Sequence, residues 1–238
     1  RTVLRHHPRF AASRENLIEL PAEVSFEGGD LLVVSSRLVL IGQSERTSLG
    51  GCVSVARALL ATTEVEHVVI VNLPKRRACM HLDTVFTFAD ESTCVVYPPI
   101  IEGIRDNVYE LRSLDGDGTF EMHVHANLKA ALETLTGRAM TFIPCGNDLV
   151  SQQREQWTDG ANLFALRPGL VVGYTRNRET YAKMREHGFH VVGAEDFLTF
   201  YGDGDLPTDG KIAVSLEGNE LSRGRGGPRC MTMPLVRA

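Results

Sequence analysis

Apolar and polar positions follow a pattern that recurs along the chain. After Asp30 comes an apolar run at 31–34, a polar turn at Ser35-Ser36-Arg37 and a second apolar run to Ile41, which predicts two short strands around a turn. A helix is predicted over about 49–61, with Val53, Ala56, Leu59 and Leu60 on one face, then a buried strand over 67–71. The same order returns with strands at 84–88 and 94–97, a helix near 124–136 and a strand near 139–143. It returns again with strands at 162–166 and 170–174 about Pro168-Gly169, a helix near 178–187 and a strand near 189–192. Three copies of a ββαβ unit predict an α/β fold of repeated modules, against the competing reading of α/β alternation without symmetry. The copies start after Asp30, Asp83 and Asn162, which places these residues at equivalent positions near a common centre.

The flanks are less regular. Residues 1–10 read as the end of a helix closing at His6-His7-Pro8, and 11–26 as a polar connection. Segment 199–220, with Gly202-Asp203-Gly204-Asp205 and Pro207, reads as a loop ahead of a last short helix or turn. The chain opens at Arg1 inside an apolar-periodic segment and without methionine, which reads as a piece whose upstream part is missing.

Composition narrows the class. A chain of 238 residues, 43% hydrophobic and 23% charged, can bury the core of one large or two small soluble domains. A net charge of −5 argues against general nucleic-acid binding, which depends on neutralising phosphates. No apolar run approaches the ~20 residues of a membrane span, and no signal peptide is recognisable. Cysteines 52, 79, 94, 145 and 230 have no CxxC spacing, which fits reduced thiols in the cytoplasm better than a disulfide framework.

Three segments carry chemistry. In the tail, three arginines, three glycines and two prolines surround Cys230 over 223–234, and cations crowded about a thiol favour its thiolate. The alternative is an ordinary buried cysteine on a basic end. Glu27-Gly28-Gly29-Asp30 sets two carboxylates around a glycine pair. Met80-His81-Leu82-Asp83 sets an imidazole and a carboxylate two residues apart, on one side of an extended strand. A cysteine, a histidine and several acids make a hydrolase-like set, whereas their spacing does not suit zinc.

Glu27-Gly28-Gly29-Asp30, Ser44-Glu45-Arg46-Thr47-Ser48, Met80-His81-Leu82-Asp83-Thr84, the Arg154–Gly160 segment and the Gly224–Met231 segment together resemble arginine deiminase. The order of these motifs is that family's order, and they span nearly the whole chain. The resemblance implies the five-bladed α/β propeller (pentein fold), of which the three modules here are an incomplete ring with a C-terminal tail. It implies one catalytic domain over 1–238 that lacks its N-terminal modules. The implied activity is hydrolysis of L-arginine to L-citrulline and ammonia, with neither metal nor organic cofactor.

The resemblance also implies roles. Cys230 matches the nucleophile, His81 the group that protonates departing ammonia and then activates water, and Glu27 that histidine's carboxylate partner. Asp83 matches an acid that grips the guanidinium, and Arg46 a residue that binds the substrate carboxylate. Arg225 matches a substrate-contacting or gating arginine, and Asp30 a support for the pocket floor. Trp157 and Asp159 read as structural, closing a blade. Arg229 is left between a site residue and a solvated tail residue.

The chain departs from the family in lacking its Phe-Thr-Arg-Asp motif and a second carboxylate-binding arginine. The segment 144–148 is less typical. The implied partners are L-arginine and the missing N-terminal segment or a companion chain, with homo-oligomerisation left open. An amidinotransferase of the same superfamily and an inactive arginine-binding fragment are the alternatives.

Overall fold

The computed structural model of the protein describes residues 2–114, 119–202, 204, 206–218 and 220–234. The chain enters through helix α1 (Thr2–His6) and a 3-10 stretch, Pro8–Asn16. The helix end expected before Pro8 is present, and Arg1 lies outside the described residues.

The first module comprises β1 (Leu31–Val33), β2 (Leu38–Gln43), α2 (Leu49–Thr62) and β3 (His67–Asn72). Strand β1 runs antiparallel to β2, and β2 parallel to β3, with Leu38 opposite His67 and Gln43 opposite Asn72. The sequences of β2 and β3 are continuously apolar because both faces of this sheet are covered. Val39, Ile41, Val68 and Ile70 share one core cluster with Cys52, Val55, Ala56 and Leu60 of α2. Leu40, Val69 and Val71, on the opposite face, join the core that runs into the next module. The buried face of α2 is therefore 52, 55, 56 and 60, and Val53 is only half-buried.

The second module begins with β4 (Phe86–Asp90), β5 (Thr93–Val96) and the short helix α3 (Pro98–Ile101). It then emits an unexpected hairpin, β6 (Val108–Ser113) and β7 (Phe120–His125). Helix α4 (Leu128–Thr136) and β8 (Thr141–Pro144) complete it. The helix expected from 124 starts only at Leu128, where the Asn127 side chain accepts from Ala130 N at 2.9 Å. Strand β6 pairs with β3, so the first sheet runs β1-β2-β3-β6-β7 while the second is β4-β5-β8. Strand β7 does alternate apolar and polar residues (Phe120, Met122 and Val124 against Glu121, His123 and His125), a strand pattern the repeat of modules left unused, and most of it is exposed.

Helix α5 (Leu149–Trp157) leads to the third module: β9 (Phe164–Arg167), β10 (Leu170–Tyr174), α6 (Arg178–Glu186), β11 (His190–Gly193), α7 (Ala194–Tyr201) and β12 (Ile212–Leu216). Here the expected unit is corrected. The strand parallel to β10 is β12, and β11 lies beyond it, giving the order β11-β12-β10-β9. The presumed loop over 199–220 thus holds the end of α7 and a buried strand, Ile212-Ala213-Val214 being a short apolar run among polar flanks. Asp203 and Asp205 of that segment lie outside the described residues. A 3-10 turn, Leu221–Gly224, precedes the tail as expected.

Asp30, Asp83 and Asn162 are fully buried, and each ties one module to the next or to the tail. Asp30 Oδ1 accepts from Leu82 N at 2.8 Å, and Asn162 Nδ2 donates to Asp83 O at 3.0 Å. Three sheets meeting at a polar centre give a propeller-like α/β fold among the described residues.

Candidate active site

The tail has little regular structure, so its position comes from side chains that fix it to all three modules. Arg229 Nη2 donates to Leu31 O at 2.6 Å in the first, and Arg229 Nη1 lies 2.6 Å from Asp83 Oδ2 in the second. Cys230 N donates to Asn162 Oδ1 at 3.1 Å, and Tyr174 Oη donates to Gly226 O at 2.8 Å, in the third. Gly226, Arg229 and Cys230 are thereby held against residues of the three modules.

Cys230 lies with its Sγ 3.8 and 3.9 Å from the two Asp83 oxygens. The residue is exposed, whereas Cys52, Cys79, Cys94 and Cys145 are buried free thiols. The expectation that neighbouring arginines favour the thiolate is overturned. Desolvation and then the Asp83 carboxylate push the Cys230 thiol up to about 12. Arg229 is engaged by Asp83, and Arg225 lies over an indole.

His81 and Asp83 do not share a strand. A 3-10 turn, Leu82–Thr84, follows His81 and still delivers both side chains to the centre. His81 Nε2 lies 2.7 Å from Glu27 Oε2, and His81 Nδ1 is buried with no hydrogen-bond partner among the described residues. The Glu27 backbone is fastened by Thr47, whose Oγ1 accepts from Glu27 N at 3.2 Å and donates to Asp30 Oδ2 at 2.6 Å. Gly29 has no positive φ; it is glycine because a Cβ there would stand 2.7 Å from the His81 ring. Burial raises Asp83 above the usual carboxylate range despite the Arg229 guanidinium beside it. Burial also raises Asp30, against hydrogen bonds from Thr47, Ser44 and Leu82, so Asp30 acts as the anchor beneath the site.

Arg225 is not solvated. Its side chain is 3% exposed, its φ is +66°, and its guanidinium sits 4.4 Å over the Trp157 ring. Nη2 donates to Ala78 O at 3.3 Å, and Nε is 4.0 Å from Asp159 Oδ1. Burial pushes Asp159 up to about 6, against the neighbouring Arg225 guanidinium, which acts to lower it. Arg46 is exposed on the loop that holds Glu27, and among the described residues no hydrogen bond or ion pair joins its side chain to the cluster.

Trp157 and Asp159, read as closing a blade, both lie against Arg225, while two other residues of α5 join the modules. Gln156 Nε2 donates to Ala78 O and Thr84 O at 2.6 and 3.1 Å, clamping the segment that carries His81 and Asp83. Buried Glu155 caps α6 by accepting from Glu179 N, Thr180 N and Thr180 Oγ1. Gln156 and Arg229 went unassigned in the sequence because their partners lie far away along the chain. No cluster of His, Cys, Asp and Glu suited to a metal ion occurs among the described residues, and none of their helices is long and apolar enough to cross a membrane.

The chain is 37% identical over 239 residues to an arginine deiminase of Limosilactobacillus fermentum and 38% identical over 239 residues to one of Mycoplasma capricolum. Each alignment covers 99% of this chain and 53% of the relative, so the chain spans about half the length of these curated relatives. An inosamine-phosphate amidinotransferase from Streptomyces griseus superposes with a TM-score of 0.52 at 16% identity, over 91% of this chain and 48% of that one. A dimethylarginine dimethylaminohydrolase gives 0.50 at 16% identity, over 97% of this chain and 63% of that one. These two likenesses concern the fold. The arginine deiminase family profile matches residues 1–237, and the chain belongs to the arginine deiminase family.

Proposed function

We propose that the complete protein carrying this chain hydrolyses L-arginine to L-citrulline and ammonia in one catalytic unit, with Cys230 as nucleophile. The observation that carries this reading is the Cys230 sulfur 3.8 Å from the buried Asp83 carboxylate. A guanidinium is planar, permanently charged and presents a fork of donors that a carboxylate accepts. Asp83 would grip that fork, sharing its carboxylate with Arg229. The same step would bring a cation to a thiol whose proton is held on by an anion, so substrate binding favours the thiolate.

The chemistry then runs in two halves. Cys230 gives its thiol proton to His81 as Sγ bonds to the guanidinium carbon, and the tetrahedral adduct expels ammonia as His81 passes that proton to the leaving nitrogen. Glu27 holds Nε2, leaving Nδ1 as the nitrogen that exchanges protons with the reacting atoms. Water, deprotonated by His81, adds to the amidino-cysteine carbon; the C–S bond breaks, releasing citrulline and the thiolate. Arg46, exposed on the loop that holds Glu27, would bind the substrate carboxylate, and Arg225, packed over Trp157, would contact substrate or gate the site only by swinging out from that ring. In the complete protein, Cys230→Ala should make no citrulline while the unaltered protein releases citrulline and ammonia in equal amounts. Turnover retained by the variant would remove the assignment.

A further inference from the structure

Buried Asn162 stands between the two groups on which the proposed reaction depends. Its Oδ1 accepts from Cys230 N at 3.1 Å, and its Nδ2 donates to Asp83 O at 3.0 Å. The partners fix the amide orientation, because a peptide N–H can only donate and a peptide carbonyl only accept. A comparison within the molecule shows why an amide stands here. Asp30, at the equivalent place in the first module, faces three donors: Ser44 Oγ, Thr47 Oγ1 and Leu82 N. A carboxylate suits three donors. Asn162 faces one donor and one acceptor, which a carboxylate could not serve together.

The opposite wall is fitted to the same side chain. A Cβ on Gly227 would stand 2.7 Å from Asn162 Cβ and Cγ, and closer still to Oδ1. Gly227 has no positive φ, so this contact, not backbone conformation, requires glycine. Gly227 also opens the turn that carries the cysteine, with Met231 N donating to Gly227 O at 3.3 Å.

We infer that Asn162 is a positioning residue for the nucleophile, holding the Cys230 and Asp83 backbones in one register so that sulfur and carboxylate meet, with Gly227 shaped to admit it. The inference rests on the proposed arginine hydrolysis, and its test separates the two. Asn162→Ala and the isosteric Asn162→Asp are made in the complete protein, and citrulline formation is measured with deuterium exchange of the tail amides. A misplaced nucleophile lowers kcat by about 100-fold in both variants, and KM for arginine stays within about threefold. The Cys230 amide, deprived of its acceptor, exchanges at least about tenfold faster in Asn162→Ala while amides of β2 and β3 keep their rates. A soluble variant with kcat within about threefold of the unaltered protein, or a loss carried by KM alone, overturns the inference. If Asn162→Ala does not fold, Asn162→Asp decides by the same kinetic criteria. If the unaltered protein makes no citrulline, the functional reading falls. Tail exchange then decides the positioning role, and unchanged exchange in Asn162→Ala rejects it.

Discussion

Asp83 and Arg229 are 146 positions apart in sequence, yet Oδ2 of one lies 2.6 Å from Nη1 of the other. The aspartate is fully buried, and the arginine also bonds Leu31 O, so this pair closes the tail onto two modules at once. Removing one partner of a buried pair leaves a charge without compensation. Arg229→Ala should therefore lower unfolding stability by about 3 kcal/mol, read from urea denaturation. Arg229→Lys should recover only part of it, because an ammonium cannot fork between a carboxylate and a carbonyl. Unchanged stability in Arg229→Ala would show that the tail is held elsewhere.

Asp83 also governs the thiol. After desolvation, it is the chief influence that raises Cys230 to about 12. Removing the anion stabilises the thiolate, so Asp83→Asn should lower the pH midpoint of Cys230 alkylation by about one pH unit or more. Citrulline formation should meanwhile fall at least about 100-fold, because the group that grips the guanidinium is lost. A more reactive cysteine in a less active protein is the signature. A midpoint that stays or rises in Asp83→Asn would contradict the assigned coupling.

Much of this site was legible in the sequence. Short apolar runs after Asp30, Asp83 and Asn162 marked three module starts, and all three residues reached the buried centre. Glu27, His81 and Asp83 stood out because chemistry-bearing residues were clustered within a few positions. What escaped notice depended on distant partners. Strand β7 carries an apolar alternation, Phe120, Met122 and Val124, but nothing local shows that its hairpin pairs with β3 of another module. Strand β12 inserts between β10 and β11, which local order does not reveal. Arginines beside Cys230 along the chain do not report the charge around its sulfur, because Arg229 points at Asp83, Arg225 at Trp157 and Arg223 at Glu220.

Away from the site, Glu110 is held between His67 and His125, each 2.7 Å from one of its oxygens. Burial opposes its ionisation, but the hydrogen bonds from the two histidines outweigh it and keep the carboxyl below its ordinary value of 4.5. A depressed acid contributes stability that is present above its unfolded value and is lost as pH falls through the folded one. Glu110→Gln should thus cost about 2 kcal/mol at neutral pH. That difference should shrink as pH falls below 4.5 and close once it passes the depressed folded value of Glu110. A penalty independent of pH would assign the loss to packing between β3, β6 and β7.

The most direct test of the account is the mass of the covalent species on the peptide containing Cys230, trapped by acid quenching of the complete protein during turnover of arginine. The account predicts an adduct with the mass of arginine less ammonia, on Cys230 and absent from Cys230→Ala. An adduct of the amidino group alone, with ornithine released, would mark group transfer instead, and arginine consumed by the Cys230→Ala variant would contradict the account outright.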